Sequence, residues 1–147
     1  MNIGTGPQKT TDWTCLNLST GGGQPIVTMF CPSTTLFPLT TTQLCEEFRG
    51  RMPIDCTLDR IDATVTTAPT GASLLVDANE CTTATSCTSL WNLTPANRLA
   101  IVAGSTSGSQ TNFDDTTIAE GNYVGFDIDQ VGSSTAGRNL TVTLLCQ

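Results

Sequence analysis

The stretch FDIDQVGSSTAGRNLTVTLLCQ, residues 126–147, decides the fold. Phe126 and Ile128, with Val124 just before them, alternate with Asp127 and Asp129. Leu140, Val142, Leu144 and Cys146 alternate in the same way with Thr141 and Thr143. A period of two puts one set of side chains on a buried face and the other on the opposite face, which is the signature of a half-buried strand. Between the two runs lie Gly132 and Gly137, separated by short polar residues. This is expected to be a loop joining two neighbouring strands as a hairpin, with a glycine at each end to allow positive φ. Asp127 and Asp129 then face away from the core of their own sheet.

The same pattern extends through most of the chain. DRIDATVTT (59–67) sets Ile61, Ala63 and Val65 against Asp62, Thr64 and Thr66, and PIVTMFC (25–31) carries bulky residues on both faces. ASLLVDAN (72–79) and RLAIVAG (98–104) are further short apolar runs. Six or more such strands, punctuated by Gly, Pro and Asn, predict an all-β chain folded as a sandwich or barrel. Composition agrees, because only 13% of the residues are charged while threonine, serine and glycine are abundant. Threonine is β-branched and suits a half-exposed pleated surface. With 147 residues the chain fits one domain, and a domain of that size buries about 68–70% of its unfolded surface. One segment, TTTQLCEEFRGRMP (40–53), has the caps and charges of a short helical crossover.

Residues 1–23 read differently, with glycine and threonine breaks, no sustained period and three consecutive glycines at 21–23. They are expected to form an extended N-terminal arm before a β-sandwich domain at 24–147. Trp13, Leu16 and Leu18, with Cys15 among them, are costly to leave in water and are the candidates for contact with a partner or a neighbouring subunit.

Charge and residue inventory exclude several functions. A net charge of −7 with six basic residues argues against nucleic acid, since phosphate binding needs clustered Lys and Arg. No histidine occurs, which removes Ser-His-Asp and Cys-His triads and most catalytic zinc sites. The N-terminus has no apolar signal segment and no run of 18 apolar residues is present, so neither signal-directed secretion nor a membrane span is expected.

Seven cysteines stand at 15, 31, 45, 56, 81, 87 and 146, without a CxxC pair. Cys81 and Cys87 are spaced for a disulfide across a hairpin tip, the alternative being two free thiols. Cys56 with Cys146 is the candidate strand-to-strand bond. Cys31 and Cys45 are further candidates, with Cys15 and Cys31 suited to arm-to-body or intermolecular bonding. The odd count leaves at least one cysteine free or paired with another chain.

The pairs Asp127/Asp129 and Asp114/Asp115 could in principle ligate calcium, or serve with Glu120 in glycoside hydrolysis. Their spacing fits neither pattern, and a solvated or inter-subunit face is the favoured reading, with no metal, cofactor or catalytic residue. TGPQKT and TGGGQP lack phosphate-loop spacing. Asn17, Asn92 and Asn139 begin N-x-[ST] triplets that arise easily in a threonine-rich chain. Arg98, at a strand start, is expected to make a surface ion pair rather than to clamp a substrate.

TAPTGASLLVDAN, NRLAIVAGSTS and TTIAEGNYVGFDIDQVGSSTAGRNLTVTL together resemble a β-sandwich domain recurrent in structural proteins of tailed bacteriophages. The resemblance spans about residues 61–145 and is carried by Pro69, Thr70, Gly71, Asp77, Gly104, Ser107, Gly121, Asp127, Asp129, Gln130, Val131, Gly132, Gly137 and Leu140. Two positions depart from it. ECTTATSC (80–87) stands where the family has a glycine-bearing tip, and Asn122 where it commonly has Asp. The resemblance implies an antiparallel jelly-roll-like sandwich, a homotrimer and no catalysis. With only an arm and one domain, the implied role is a capsid decoration protein, made in the host cytoplasm and seated on the major capsid protein at the outer surface of the virion. The alternative is a tail-fibre or receptor-binding tip.

Overall fold

The computed structural model describes residues 26–31, 39–41, 49–83 and 85–147. The arm at 1–23, with Trp13, Cys15, Leu16 and Leu18, and also Cys45, lies outside the described residues. Among the described residues ten strands follow one another: β1 (Ile26–Cys31), β2 (Arg49–Arg51), β3 (Cys56–Thr64), β4 (Leu74–Cys81), β5 (Cys87–Ser89), β6 (Leu99–Ile101), β7 (Ser107–Gln110), β8 (Thr117–Ile118), β9 (Tyr123–Gln130) and β10 (Leu140–Cys146). A single turn of 3-10 helix at Pro95–Asn97 precedes β6.

The strands form two antiparallel sheets packed as a sandwich. The first has the order β1-β10-β3-β7, with β8 also on β3, and the second β2-β9-β4-β5, with β6 also on β4. β3 and β4 therefore each carry two short strands end to end along one edge. β7 covers Ile61–Thr64 of β3 and β8 covers Cys56 and Thr57, while β6 covers Leu74–Val76 of β4 and β5 covers Asn79–Cys81.

The alternation seen in the sequence is the burial pattern of these strands. Ile61, Ala63, Leu140, Val142 and Leu144 from the first sheet share one core with Val76, Ala78, Val124, Phe126 and Ile128 from the second. Trp91, Leu90 and Ile118 close it from the connections and the short β8. At roughly 25 cal/mol per Å² of apolar surface removed from water, this shared core is the main favourable contribution to folding.

Two expectations are corrected. Residues 123–146 are not a hairpin, because β9 pairs with β2 and β4 while β10 pairs with β1 and β3. Residues 131–139 cross from one sheet to the other, which lets the apolar faces of β9 and β10 oppose one another. The crossing runs beside the β3–β4 connection, bridged at Thr67 with Arg138 and at Thr70 with Thr135. Thr70 N donates to Thr135 O at 3.0 Å and Ser134 N to Thr70 O at 2.9 Å. Gly137 has the expected positive φ of 94°, whereas Gly132 does not. Gly132 serves close approach instead, since a Cβ there would collide with the Thr135 carbonyl and the Thr70 amide. The second correction concerns the helical crossover. Arg49–Arg51, at its C-terminal end, is extended and pairs with Tyr123–Gly125, where it satisfies backbone groups along β9. Residues 42–48 lie outside the description.

A disulfide joins Cys56 to Cys146 across 90 residues, tying the start of β3 to the end of β10. Both residues are buried. Cys81 and Cys87 are bonded across the β4–β5 turn, and Cys31 is disulfide-bonded as well. Constraining so long a loop stabilises mainly by narrowing the unfolded ensemble. Cys146→Ser is therefore expected to lower the unfolding free energy by about 3 kcal/mol, read as a lower midpoint in urea.

Candidate functional site

The outer face of the second sheet carries the densest polar arrangement among the described residues. Its origin is local. In β4, Leu74, Val76 and Ala78 point inward, so Asp77 and Asn79 must point outward. In β9, Val124, Phe126 and Ile128 are buried, so Asp127 and Asp129 face out as well. Antiparallel register puts Asp77 opposite Asp127, and a register shift between Leu75 and Val76 brings Asp129 alongside. Like charges directly opposed across a strand pair are unfavourable, and the neighbouring side chains offset this.

Arg98 is the central offset. Its Nε lies 3.2 Å from Asp77 Oδ2 and 3.1 Å from Asp129 Oδ2. The single Nε–H is donated to Asp77, and Asp129 is held by charge. Ser89 donates its hydroxyl to Asp77 Oδ1 at 2.7 Å, and Asn79 donates its amide to Asp127 Oδ2 at 2.7 Å. The side chain of Asp77 is only 9% exposed against 30% for Arg98 and 33% for Asp129. Burial pushes the Asp129 carboxyl above its ordinary pKa, with Arg98 pulling it down and Asp77 adding to the rise. Arg98 thus makes the ion pair expected of it, but as a bridge between two strands.

Next to this face, residues 90–97 are held in one shape. Trp91 is fully buried and donates its indole N–H to Asn112 O at 2.6 Å, with Phe113 against its ring at 5.7 Å between centroids. Asp114 caps the loop, accepting from Leu93 N and Thr94 N at 2.7 Å and from the Thr94 hydroxyl at 2.6 Å. The Thr94 hydroxyl bond is the main reason the Asp114 carboxyl is held below its ordinary value, with the backbone bonds acting in the same sense against desolvation. Leu93 is left 80% exposed at the tip. Asp115 turns away to cap Thr117 N at 3.1 Å, so Asp114 and Asp115 do not act as a pair. Glu120 donates its backbone N–H to Asp55 Oδ1 at 2.7 Å and is not beside Asp127 or Asp129 in any described contact.

The outer face of the first sheet is milder. Thr28, Thr143, Asp62 and Ser109 form one row in register, with a hydroxyl pair at 3.3 Å between Thr28 and Thr143 and Ser109 bonded to Asp62 at 2.7 Å. Among the described residues no group of three or more Asp, Glu or Cys is arranged to hold a metal ion, and no helix is long and apolar enough to cross a membrane. The partners at Asp77 are carboxylate, hydroxyl and guanidinium groups that satisfy one another. What they do chemically is tie β4, β5, β9 and the 90–98 connection into one rigid surface.

Asp77 and Ser89 were not singled out as a site by sequence reasoning. The available signal was an aspartate in mid-strand within the apolar run LLVDA, which requires a partner if it is to be covered. Asn92, in the first N-x-[ST] triplet of the described residues, is exposed, whereas Asn139 adopts φ 51° and donates to Thr66 Oγ1 at 3.0 Å. No protein-family model, no curated protein and no solved structure matches the chain.

Two outcomes are expected. Arg98→Met, which keeps the aliphatic stem, leaves Asp77 covered without its cation and lowers stability by about 2 kcal/mol in chemical denaturation. For Asp114 the folded pKa is depressed, so its hold on the loop is complete above pH 3.8 and is lost as pH falls through the lowered value. The Leu93 and Thr94 amide resonances are therefore expected to stay unchanged from neutral pH to that point and to move below it.

Proposed function

We propose that the chain is a virion structural protein: a jelly-roll subunit that sits as a homotrimer on the outer surface of a bacteriophage head and stabilises the shell. The observation that carries this reading is the pairing pattern. β1 lies on β10, β2 on β9, β3 on β7 and β8, and β4 on β5 and β6. Strands equally far from the middle of the chain are thus partners, as in one long two-stranded ribbon. Contacts of β10 with β3 and of β9 with β4 wrap that ribbon into two sheets. When the end-to-end short strands are counted as single positions, eight positions result, as in the double-sheet jelly rolls common among viral capsid and lectin domains.

Two further observations support a structural role in an exposed particle. Five of the described cysteines are disulfide-bonded, which suits a protein that works in an oxidising exterior. The polar groups on the outer face of the second sheet are satisfied within the subunit, giving a rigid surface. The arm at 1–23, with Trp13, Leu16 and Leu18, is assigned to gripping the major capsid protein or an adjacent copy. The receptor-binding alternative draws on Leu93, an exposed apolar side chain on a firmly held loop, since pre-organised apolar anchors are typical of binding surfaces.

Quantitative mass spectrometry of purified particles from a lysate containing the protein, with and without reductant, tests the proposal. Hundreds of copies per particle, with reductant weakening the shell, are expected. A handful of copies overturns the decoration role and directs the work to host-cell binding by the isolated protein.

A further inference from the structure

The Cys56–Cys146 and Cys81–Cys87 disulfides differ in their surroundings. Cys56 and Cys146 both belong to the shared core. Cys81 does not, although none of it is exposed. In β4 Leu74, Val76 and Ala78 point inward, so the alternation carries Cys81 to the outer face with Asp77 and Asn79. Antiparallel register then lays one row across that face: Arg51 on β2, Tyr123 on β9, Cys81 on β4 and Cys87 on β5. Within this row Cys81 has Tyr123 on one side and Cys87 on the other. Cys87 is the last member, exposed, on a strand whose only neighbour among the described residues is β4.

The backbone around the bond stands without it. Thr82 N donates to Ser86 O at 3.0 Å and Leu90 N to Ala78 O at 2.8 Å. Bonded pairs alternate with non-bonded ones along an antiparallel ladder, so Cys81 and Cys87 occupy a non-bonded pair, where side chains come closest. The turn beyond them is held separately, with Thr83 Oγ1 accepting from Ser86 N at 3.1 Å. Opening the S–S bond therefore takes no backbone hydrogen bond with it.

We propose that Cys87 is a thiol-exchange site, which takes up a low-molecular-weight thiolate as a mixed disulfide while Cys81 is released as the resolving thiol. A thiolate attacks a disulfide along the S–S axis, from the side opposite the sulfur that leaves, so access decides which sulfur is attacked. For Cys87 Sγ that line runs in through solvent from beyond the sheet edge. For Cys81 Sγ it runs in across β9, where Tyr123 stands.

The attacking sulfur bonds to Cys87 Sγ and the bond from Cys87 to Cys81 breaks. Its electron pair leaves on Cys81 Sγ, which takes a proton from water. One disulfide is consumed and one is formed, so no separate oxidant or reductant is needed. In the reverse step the Cys81 thiolate, kept opposite Cys87 by register, attacks Cys87 Sγ and expels the small thiol. Cys56 and Cys146, covered by both sheets, exchange only when the sandwich opens.

The test treats the folded full chain in native buffer with excess reduced glutathione, quenches with acid, alkylates free thiols and maps the bonds by peptide mass spectrometry. Cys81–Cys87 is expected to open at least about a hundredfold faster than Cys56–Cys146, because edge exchange needs no unfolding. Any glutathione adduct between these two cysteines is expected on Cys87. Equal opening rates, or an adduct on Cys81, overturn the proposal. Two variants read the choice of sulfur directly, with oxidised glutathione as the probe. Cys87 in Cys81→Ala is expected to be glutathionylated about tenfold or more faster than Cys81 in Cys87→Ala, and equal or reversed rates overturn the assignment. The comparison of opening rates on the wild type stands whether or not either variant folds.

Discussion

Every other feature depends on the fact that neither sheet can exist alone. Each is apolar on one face and polar on the other, and each presents two long central strands whose inward side chains are covered mainly by the opposite sheet. The chain meets this requirement by changing sheets whenever it leaves a central strand in one direction, so that β3 leads to β4 and β9 leads to β10. The two crossings lie side by side and hydrogen-bond to each other through Thr67, Thr70, Thr135 and Arg138. Small residues are required where these backbones touch, which explains the run of glycine, serine, threonine and alanine at 132–137 better than a surface turn would.

The fold was legible in the sequence to the extent that burial has a period. All six apolar runs read as strands lie within or overlap observed strands, and the inward residues of β3, β9 and β10 are the alternating ones. The strands that went unread, β2, β5, β7 and β8, are two to four residues long, too short for a period of two to stand out from chance. β2 was further obscured because Arg49–Arg51 carries the charges and glycine of a helix end. The partner of β9 could not be read either, since a strand's side-chain pattern records which face is buried and not which strand supplies its hydrogen bonds.

The polar site was less legible for a related reason. Asp127 and Asp129 were visible as outward-facing, but their meaning rests on Asp77, Ser89 and Arg98, which lie 29 to 52 positions away in the chain and are brought together by the fold. Asp114 and Asp115 looked like a pair because they are adjacent, and for that same reason their side chains diverge to cap two different loops.

The bond between Cys56 and Cys146 has a mechanical meaning. A strand at the end of a chain can be peeled from its sheet one hydrogen bond at a time, like a zip. Here the final strand is central, with β1 on one side and β3 on the other, and its last residue, Cys146, is welded to the first residue of β3. Gln147 N adds a 2.8 Å bond to Thr57 O beyond the weld. Tension applied at the C-terminus passes through sulfur into the start of β3, which lies beside the end of β10 in the antiparallel pair, so β10 cannot be peeled from β3 at that end while the bond is intact.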